Sequence, residues 1–310
     1  MSEFHFRPSK CVPFVDEVEI ARCRAISREQ IDKHPNPDFR IRVVHDADLE
    51  FIWVTDMVRR IKQSADENKR LVMILPNPCP TYRHVARLIN ELKIDCRHVF
   101  VFAMDEYADQ DGRIAPENWN KGFTYAMKRC FYEQIAPELR PPEKQIVGFT
   151  NQNIGSYSKM IADAGGADIC YSGPGWTGHL AFIEPDAPEL AGSLSEWRKF
   201  GARIVTLSPF TLAQNSLHGS FGMSGDLSAV PPKAATIGPA DVIAAKHRLE
   251  FSAVLIHGTQ TTWQRMTTRL VYHGPVTPKL PTSLLQELRT DVYISESLAQ
   301  DIVPDFQKGY

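Results

Sequence analysis

Four things are scarce in this chain of 310 residues, and each scarcity excludes a class of function. The first is the long apolar run: none approaches the roughly 20 residues that a membrane-spanning helix needs. The N-terminal stretch MSEFHFRPSKCVPF also lacks the apolar core of a secretory leader, so the expectation is a cytoplasmic protein with no membrane partner. The second is net charge. Lys+Arg is 35 and Asp+Glu is 37, a balance of −2. A protein whose main task is to grip nucleic acid through a basic face usually carries a clear basic excess, so no nucleic-acid partner is expected. A small local basic pocket stays open. The third is paired cysteine. Cys11, Cys23, Cys79, Cys96, Cys130 and Cys170 contain no CxxC, which excludes a zinc or redox pair of the usual spacing and favours reduced thiols. The fourth is the compact metal or nucleophile motif. There is no HExxH and no GxSxG, and acids and histidines are scattered without ligand spacing, so neither metal nor cofactor is expected.

What is present is an alternation of apolar strands and amphipathic helices. Residues 1–39 are interrupted by Pro8, Pro13, Pro35 and Pro37 and read as an N-terminal extension with one short helix. From Arg40 the texture changes. IRVV (41–44), LVMIL (71–75), VFVFAM (99–104), IVGF (146–149), ADICYSG (167–173), IVTLS (204–208) and SAVLIHG (252–258) predict strands. Helices are predicted over 47–63, with Asp46 as its cap, and over 85–92, 122–135, 156–164 and 261–271. Continuous apolar strands imply a mostly parallel sheet with helices on both faces. The expected fold class is therefore α/β, doubly wound and Rossmann-like, with residues 40–310 as one domain. In such sheets ligands bind beyond the carboxyl ends of the strands, which directs attention to the polar residues after each apolar run.

Three strand ends stand out. PNPCPT (76–81) follows the strand at 71–75, Asp105-Glu106-Tyr107 follows 99–104, and PGWTGHLAFIEP (174–185) follows 167–173. Two acids ending an apolar strand are either a solvated terminus or a carboxylate at the mouth of the sheet, where partial burial suits it to proton transfer. Gly173, Gly175 and Gly178 match GxGxxG, but Pro185 and Pro188 break the segment after the last glycine, so no dinucleotide-binding helix is expected. A tight loop that brings backbone N–H groups to a ligand fits better. His179 directly after this loop, with Glu184 close behind, has the makings of a proton shuttle. His84, His218 and His257 carry less signal. The glycine- and serine-rich stretch 218–229 reads equally as a lid over a site or as a plain surface loop.

Gly173-Pro-Gly-Trp-Thr-Gly-His-Leu-Ala-Phe-Ile-Glu-Pro185, MDEY (104–107) and LPNPCPT (75–81) stand in the order found in glucosamine-6-phosphate deaminases, and the chain resembles that family over roughly 40–297. VPPKAATIG (230–238), GTQ (258–260) and PTSLLQ (281–286) are weaker matches. The related 6-phosphogluconolactonases share the fold but do not usually carry the AFxEP ending. The resemblance implies a sugar-phosphate isomerase type of fold and a specific chemistry: ring opening, then proton transfer from C2 to C1 through an enol-type intermediate, converting aldose to ketose with release of ammonia. It implies Asp105 as the base at C2, and His179 and Glu184 as the ring-opening pair. Asn77, Cys79, Thr81, Glu106, Gly173, Gly175, Thr177, Gly178 and Thr261 are the implied substrate-binding positions, for a small sugar or sugar phosphate. Members of that family often form homo-oligomers, and self-association is carried over as an expectation.

The departures from the family pattern concern the ring-opening relay and the phosphate end of the substrate. The family's aspartate two residues before the histidine is Thr177 here. Its glycine-rich phosphate loop is Asn77-Pro78-Cys79-Pro80, and proline has no N–H to offer. Its late lysine falls on Thr261, and its arginine after an Asn-Ser pair falls near Leu217. Two expectations arise. One is an enzyme of this type acting on a different sugar, with Arg83, Lys233 or Lys246 as candidate new cations. The other is a non-catalytic sugar-binding or regulatory protein on the same fold.

Overall fold

The uninterrupted apolar runs become the inner strands of one sheet. In the computed structural model, residues 6–308 are described. Helix α1 (Glu17–Arg24) starts where Asp16 accepts the Glu19 amide at 3.0 Å. Then come β1 (Phe39–Val44), α2 (Asp48–Asp66), β2 (Leu71–Leu75), α3 (Tyr82–Glu91) and β3 (Val99–Ala103). The chain passes through Met104 into β4 (Asp105–Ala108), and continues as α4 (Phe123–Cys130), β5 (Ile146–Val147), α5 (Tyr157–Asp163) and β6 (Ile169–Ser172). Next are α6 (Leu194–Trp197), β7 (Arg203–Thr206), α7 (Pro209–Ser216), β8 (Lys233–Thr236), α8 (Pro239–Ala244) and β9 (Arg248–Ser252). The chain closes with β10 (Leu255–Ile256), β11 (Thr259–Gln260), α9 (Gln264–His273), β12 (Thr290–Ser295) and α10 (Glu296–Ala299).

Seven strands form one parallel sheet in the order β1-β12-β9-β6-β2-β3-β5. The expected doubly wound α/β class is observed. From β2 the winding moves outward to β3 and β5; from β6 it moves the other way to β9 and β12. The order therefore reverses between β2 and β6, and a crevice opens at their carboxyl ends. Residues 76–81 leave β2 there and residues 173–184 leave β6. The two faces of the sheet bury separate apolar clusters, one around Met57, Ile61, Tyr82 and Phe131, the other around Phe102, Phe149, Tyr157 and Leu285.

Some predicted elements differ. IVTLS is not in the main sheet: β7 pairs antiparallel with β8, which pairs antiparallel with β4, making a second sheet of three strands over the crevice. SAVLIHG is not a strand of the main sheet either; it spans the end of β9 and the small β10–β11 hairpin. The true inner strands β9 and β12 lack an apolar signature because each holds buried charge. Arg248 is satisfied by the carbonyls of Val242 and Ile243 at 2.9 and 2.7 Å, and Asp291 by Arg40, Arg42 and His247 at 2.9, 2.7 and 2.8 Å. Such ions read as surface in a sequence but sit inside when every hydrogen bond is made. Asp46 does not cap α2; Ala47 is the N-cap and the Asp46 carboxylate instead accepts the Ser297 amide at 3.0 Å. In the segment before β1, the Arg22 guanidinium donates to the His273 carbonyl at 2.5 Å and the Ile26 carbonyl accepts from Arg269 at 3.0 Å. No helix among the described residues is long and apolar enough to cross a membrane, and all six cysteines are free.

Candidate active site

A cavity of about 530 Å³ occupies the crevice. Asp105, His179, Asn77, Cys79, Thr81, Gly173, Gly175 and Thr261 all line it. Thr177, Gly178 and Glu184 stand behind His179, outside the lining.

Asp105 is held where β3 passes into β4, opposite Thr236 of β8. Its side chain is buried, and Oδ1 has no hydrogen-bond partner. Burial, reinforced by the neighbouring Glu106 charge, pushes its pKa well above the usual carboxylate range. An unpartnered acceptor of this kind is costly unless something enters the cavity to use it.

Glu106, the adjacent acid, points the other way, as alternation along a strand requires. It does not line the cavity. Its carboxylate accepts the amides of Tyr107, Phe123 and Thr124 at 2.9, 3.0 and 2.7 Å, the last two being the first turn of α4. The family resemblance places Glu106 on the substrate; the structure gives it the start of a helix instead. Glu106→Ala is therefore expected to destabilise the fold by about 1–3 kcal/mol, because buried amides lose their acceptor. Urea unfolding checks this, and an unchanged KM in the folded fraction separates it from a binding role.

His179 follows the glycine loop. The Gly175 amide donates to the His179 carbonyl at 2.8 Å, and the Gly178 amide to the Gly175 carbonyl at 2.9 Å. Gly178 has a φ of +80°, the left-handed region that glycine adopts without cost. Gly175 faces the imidazole so closely that an added Cβ would overlap His179 Nε2. The other ring nitrogen, Nδ1, lies 3.0 Å from Thr177 Oγ1 and 3.2 Å from Thr211 Oγ1. Glu184 Oε2 is 3.7 Å from Nδ1, beyond a direct hydrogen bond, and 3.5 Å from Thr177 Oγ1. Burial lowers the His179 pKa to about 3, with His218 nearby adding to the effect, and raises that of Glu184 to about 7.

The helix that follows the loop after β2 offers little to an anion. The first three amides of α3, those of Tyr82, Arg83 and His84, already donate to the carbonyls of Cys79, Pro80 and Thr81 at 3.2, 3.1 and 2.9 Å. The helix N-terminus therefore has its donors spent, unlike a phosphate-binding one. The Thr81 hydroxyl donates to Glu50 at 3.0 Å, and that of Thr261 to the Ala253 carbonyl at 2.5 Å. Burial pushes the Cys79 thiol up to about 12, so it stays neutral. Among the described residues the lining includes no lysine or arginine; its acidic residues are Asp46, Glu50 and Asp105. Arg83, Lys233 and Lys246 do not line it, and Lys246 is paired with Asp168 at 2.7 Å.

Several lining residues gave no signal in the sequence. His218 and His257 both reach the cavity, as do Glu50, Trp53, Asn215 and Trp263. His218 immediately follows the position where the family's arginine would fall, which was the available clue. The stretch 218–229 is pinned by Phe221, whose ring packs on Tyr107 at 5.7 Å and Trp119 at 6.5 Å, while His218 and Ser220 face the cavity. Among the described residues no cluster of three or more His, Cys, Asp or Glu is arranged to hold a metal.

No family model matches the chain. It is 27% identical over 269 residues to a glucosamine-6-phosphate deaminase of Porphyromonas gingivalis, covering 84% of this chain and 92% of that one. It is 30% identical over 197 residues to the glucosamine-6-phosphate deaminase of Caenorhabditis elegans, covering 61% and 66%. Among solved structures, a monomeric glucosamine-6-phosphate deaminase superposes with a TM-score of 0.67 at 19% identity, over 84% of this chain and 98% of that one. A 6-phosphogluconolactonase from Thermotoga maritima gives 0.59 at 12% identity, over 83% and 99%. The chain is a divergent relative of the glucosamine-6-phosphate deaminases, on a fold that the 6-phosphogluconolactonases share.

Proposed function

We propose that this sugar-isomerase- and deaminase-like enzyme transfers a proton between adjacent carbons of an amino sugar through an enol-type intermediate. The observation that carries the reading is Asp105: a buried carboxylate with an unpartnered oxygen, in the same cavity as the His179 imidazole. Asp105 takes the proton from C2 and returns it to C1, which leaves an iminium at C2; water adds to that carbon and ammonia departs, giving the ketose. In the empty cavity burial disfavours the ionised form of Asp105. An ammonium group on C2 would bring a cation beside it and favour the ionised, basic form. Trp53, Trp263 and Phe251 line the same cavity and offer apolar faces to a sugar ring.

Ring opening falls to His179, backed by Glu184. Thr177 supplies the hydroxyl that joins them. With Glu184 protonated, its O–H donates to Thr177, Thr177 donates to Nδ1, and Nε2 presents a proton to the ring oxygen. With Glu184 ionised, each hydrogen bond reverses and Nε2 becomes an acceptor. Thr177→Val is expected to lower turnover roughly 10- to 100-fold and to erase the limb of the pH–rate profile that reports Glu184, while Thr177→Ser retains both. A phosphate end that differs from the family's is supported by the prolines at 76, 78 and 80, which carry no amide N–H, and by Thr261 and Leu217 where the family has lysine and arginine. Release of ammonia and ketose, assayed over free and phosphorylated hexosamines, tests the function. Absence of both products from every sugar, with binding retained, would favour the alternative of a non-catalytic sugar-binding protein.

A further inference from the structure

The wall of the cavity formed after β2 carries several side-chain acceptors and, among the described residues, no lysine or arginine. Asn77 is buried, and its Nδ2 donates to the Leu75 carbonyl at 3.4 Å. With the amide facing this way, Oδ1 is an acceptor with no partner among the described residues. Four residues on, Thr81 has its proton committed to Glu50, so it too presents oxygen lone pairs. His257 Nε2 lies 3.3 Å from the same hydroxyl. Glu50 and Asp46 add carboxylates to this wall, and Glu50 also lies 3.7 Å from His84. Prolines 76, 78 and 80 remove amide donors that the loop would otherwise offer.

We propose that this wall takes a hydrogen-bond donor, a hydroxyl or an ammonium group, where the relatives' substrates carry a phosphate, so that the ligand is an unphosphorylated hexosamine. This rests on the sugar chemistry proposed for the site. A phosphate oxygen placed here would meet Asn77 Oδ1 acceptor to acceptor and the Glu50 carboxylate charge to charge, with no cation to offset either. A hydroxyl completes Asn77. An ammonium completes Asn77 and also pairs with Glu50.

Isothermal titration calorimetry with glucosamine, glucosamine 6-phosphate and 2,6-diamino-2,6-dideoxyglucose tests this on the full chain. Glucosamine is expected to bind at least tenfold more tightly than its phosphate ester. Tighter binding of the diamino sugar identifies ammonium as the preferred donor, and equal binding identifies hydroxyl. Glu50, half-exposed on α2, can be changed with little risk to the fold. Glu50→Lys is expected to raise affinity for the phosphate ester at least fivefold and to abolish any preference for the diamino sugar. Equal or tighter binding of the phosphate ester by the wild type overturns the proposal, as does binding of none of the three. Calorimetry does not depend on turnover. A failed proton transfer therefore leaves this result standing, and efficient turnover of a tightly bound phosphate ester overturns the donor-seeking wall while preserving the chemistry.

Discussion

Asp105→Asn is expected to lower turnover by about 100- to 10,000-fold, the usual effect of removing a general base. Sugar affinity should survive, because the amide keeps the shape and one acceptor. The same substitution should make the protein more stable at neutral pH, an outcome that a purely structural carboxylate would not give. The sign comes from burial. The folded state holds the Asp105 pKa well above its ordinary value. Below the ordinary carboxylate pKa both folded and unfolded chains are protonated and nothing is lost. As pH rises past that value the unfolded chain ionises first, so the folded state loses stability until Asp105 itself ionises. Asparagine has no such loss. Melting temperatures of the two proteins should converge near pH 4 and separate progressively towards pH 8, with the variant higher. A variant that is less stable across this range would mean that Asp105 has a native partner that the structure does not reveal.

Gly175→Ala is expected to be nearly as damaging to turnover, for a geometric reason. The methyl would overlap the His179 imidazole, so the ring must leave its place above Thr177 and Thr211. A misplacement of about 1 Å costs roughly 100-fold in rate. Overpacking at a buried position adds about 1–3 kcal/mol of destabilisation. The variant should therefore fold, melt somewhat earlier and turn over at least 100-fold more slowly. Gly219, beside the cavity but with open space around it, is the control: Gly219→Ala should change neither property greatly. Equal damage from both would place the effect in the backbone rather than in the imidazole.

The inner frame of this molecule was legible where strands were purely apolar. LVMIL is β2 residue for residue, and VFVFAM and ADICYSG contain β3 and β6. Because these three strands meet at the reversal of the sheet, the polar residues that come after them converge in space, and Asp105, His179 and the 76–81 loop could be named from sequence position. Strands β9 and β12 were hidden by Arg248, Glu250 and Asp291, whose burial depends on partners far away in the chain. The division of labour between Asp105 and Glu106 was half legible: alternation said that one of them faces away, while the amides of α4 decide which. His257, Glu50 and Trp53 were beyond reach, since separate loops and helices carry them to the cavity and no local pattern marks them. Thr177 looked like a lost charge; placed between Nδ1 and Glu184 it is a hydroxyl that can join the two.

The most direct measurement is proton exchange at carbon. The enzyme is incubated with an unphosphorylated hexosamine in deuterium oxide, and the sugar is followed by NMR. The result expected is deuterium appearing at C1 of the ketose and at C2 of recovered aldose with the wild type, and at neither with Asp105→Asn. Exchange that persists in the Asp105→Asn protein, or none at all with a sugar that the wild type demonstrably binds, would contradict Asp105 as the carbon base.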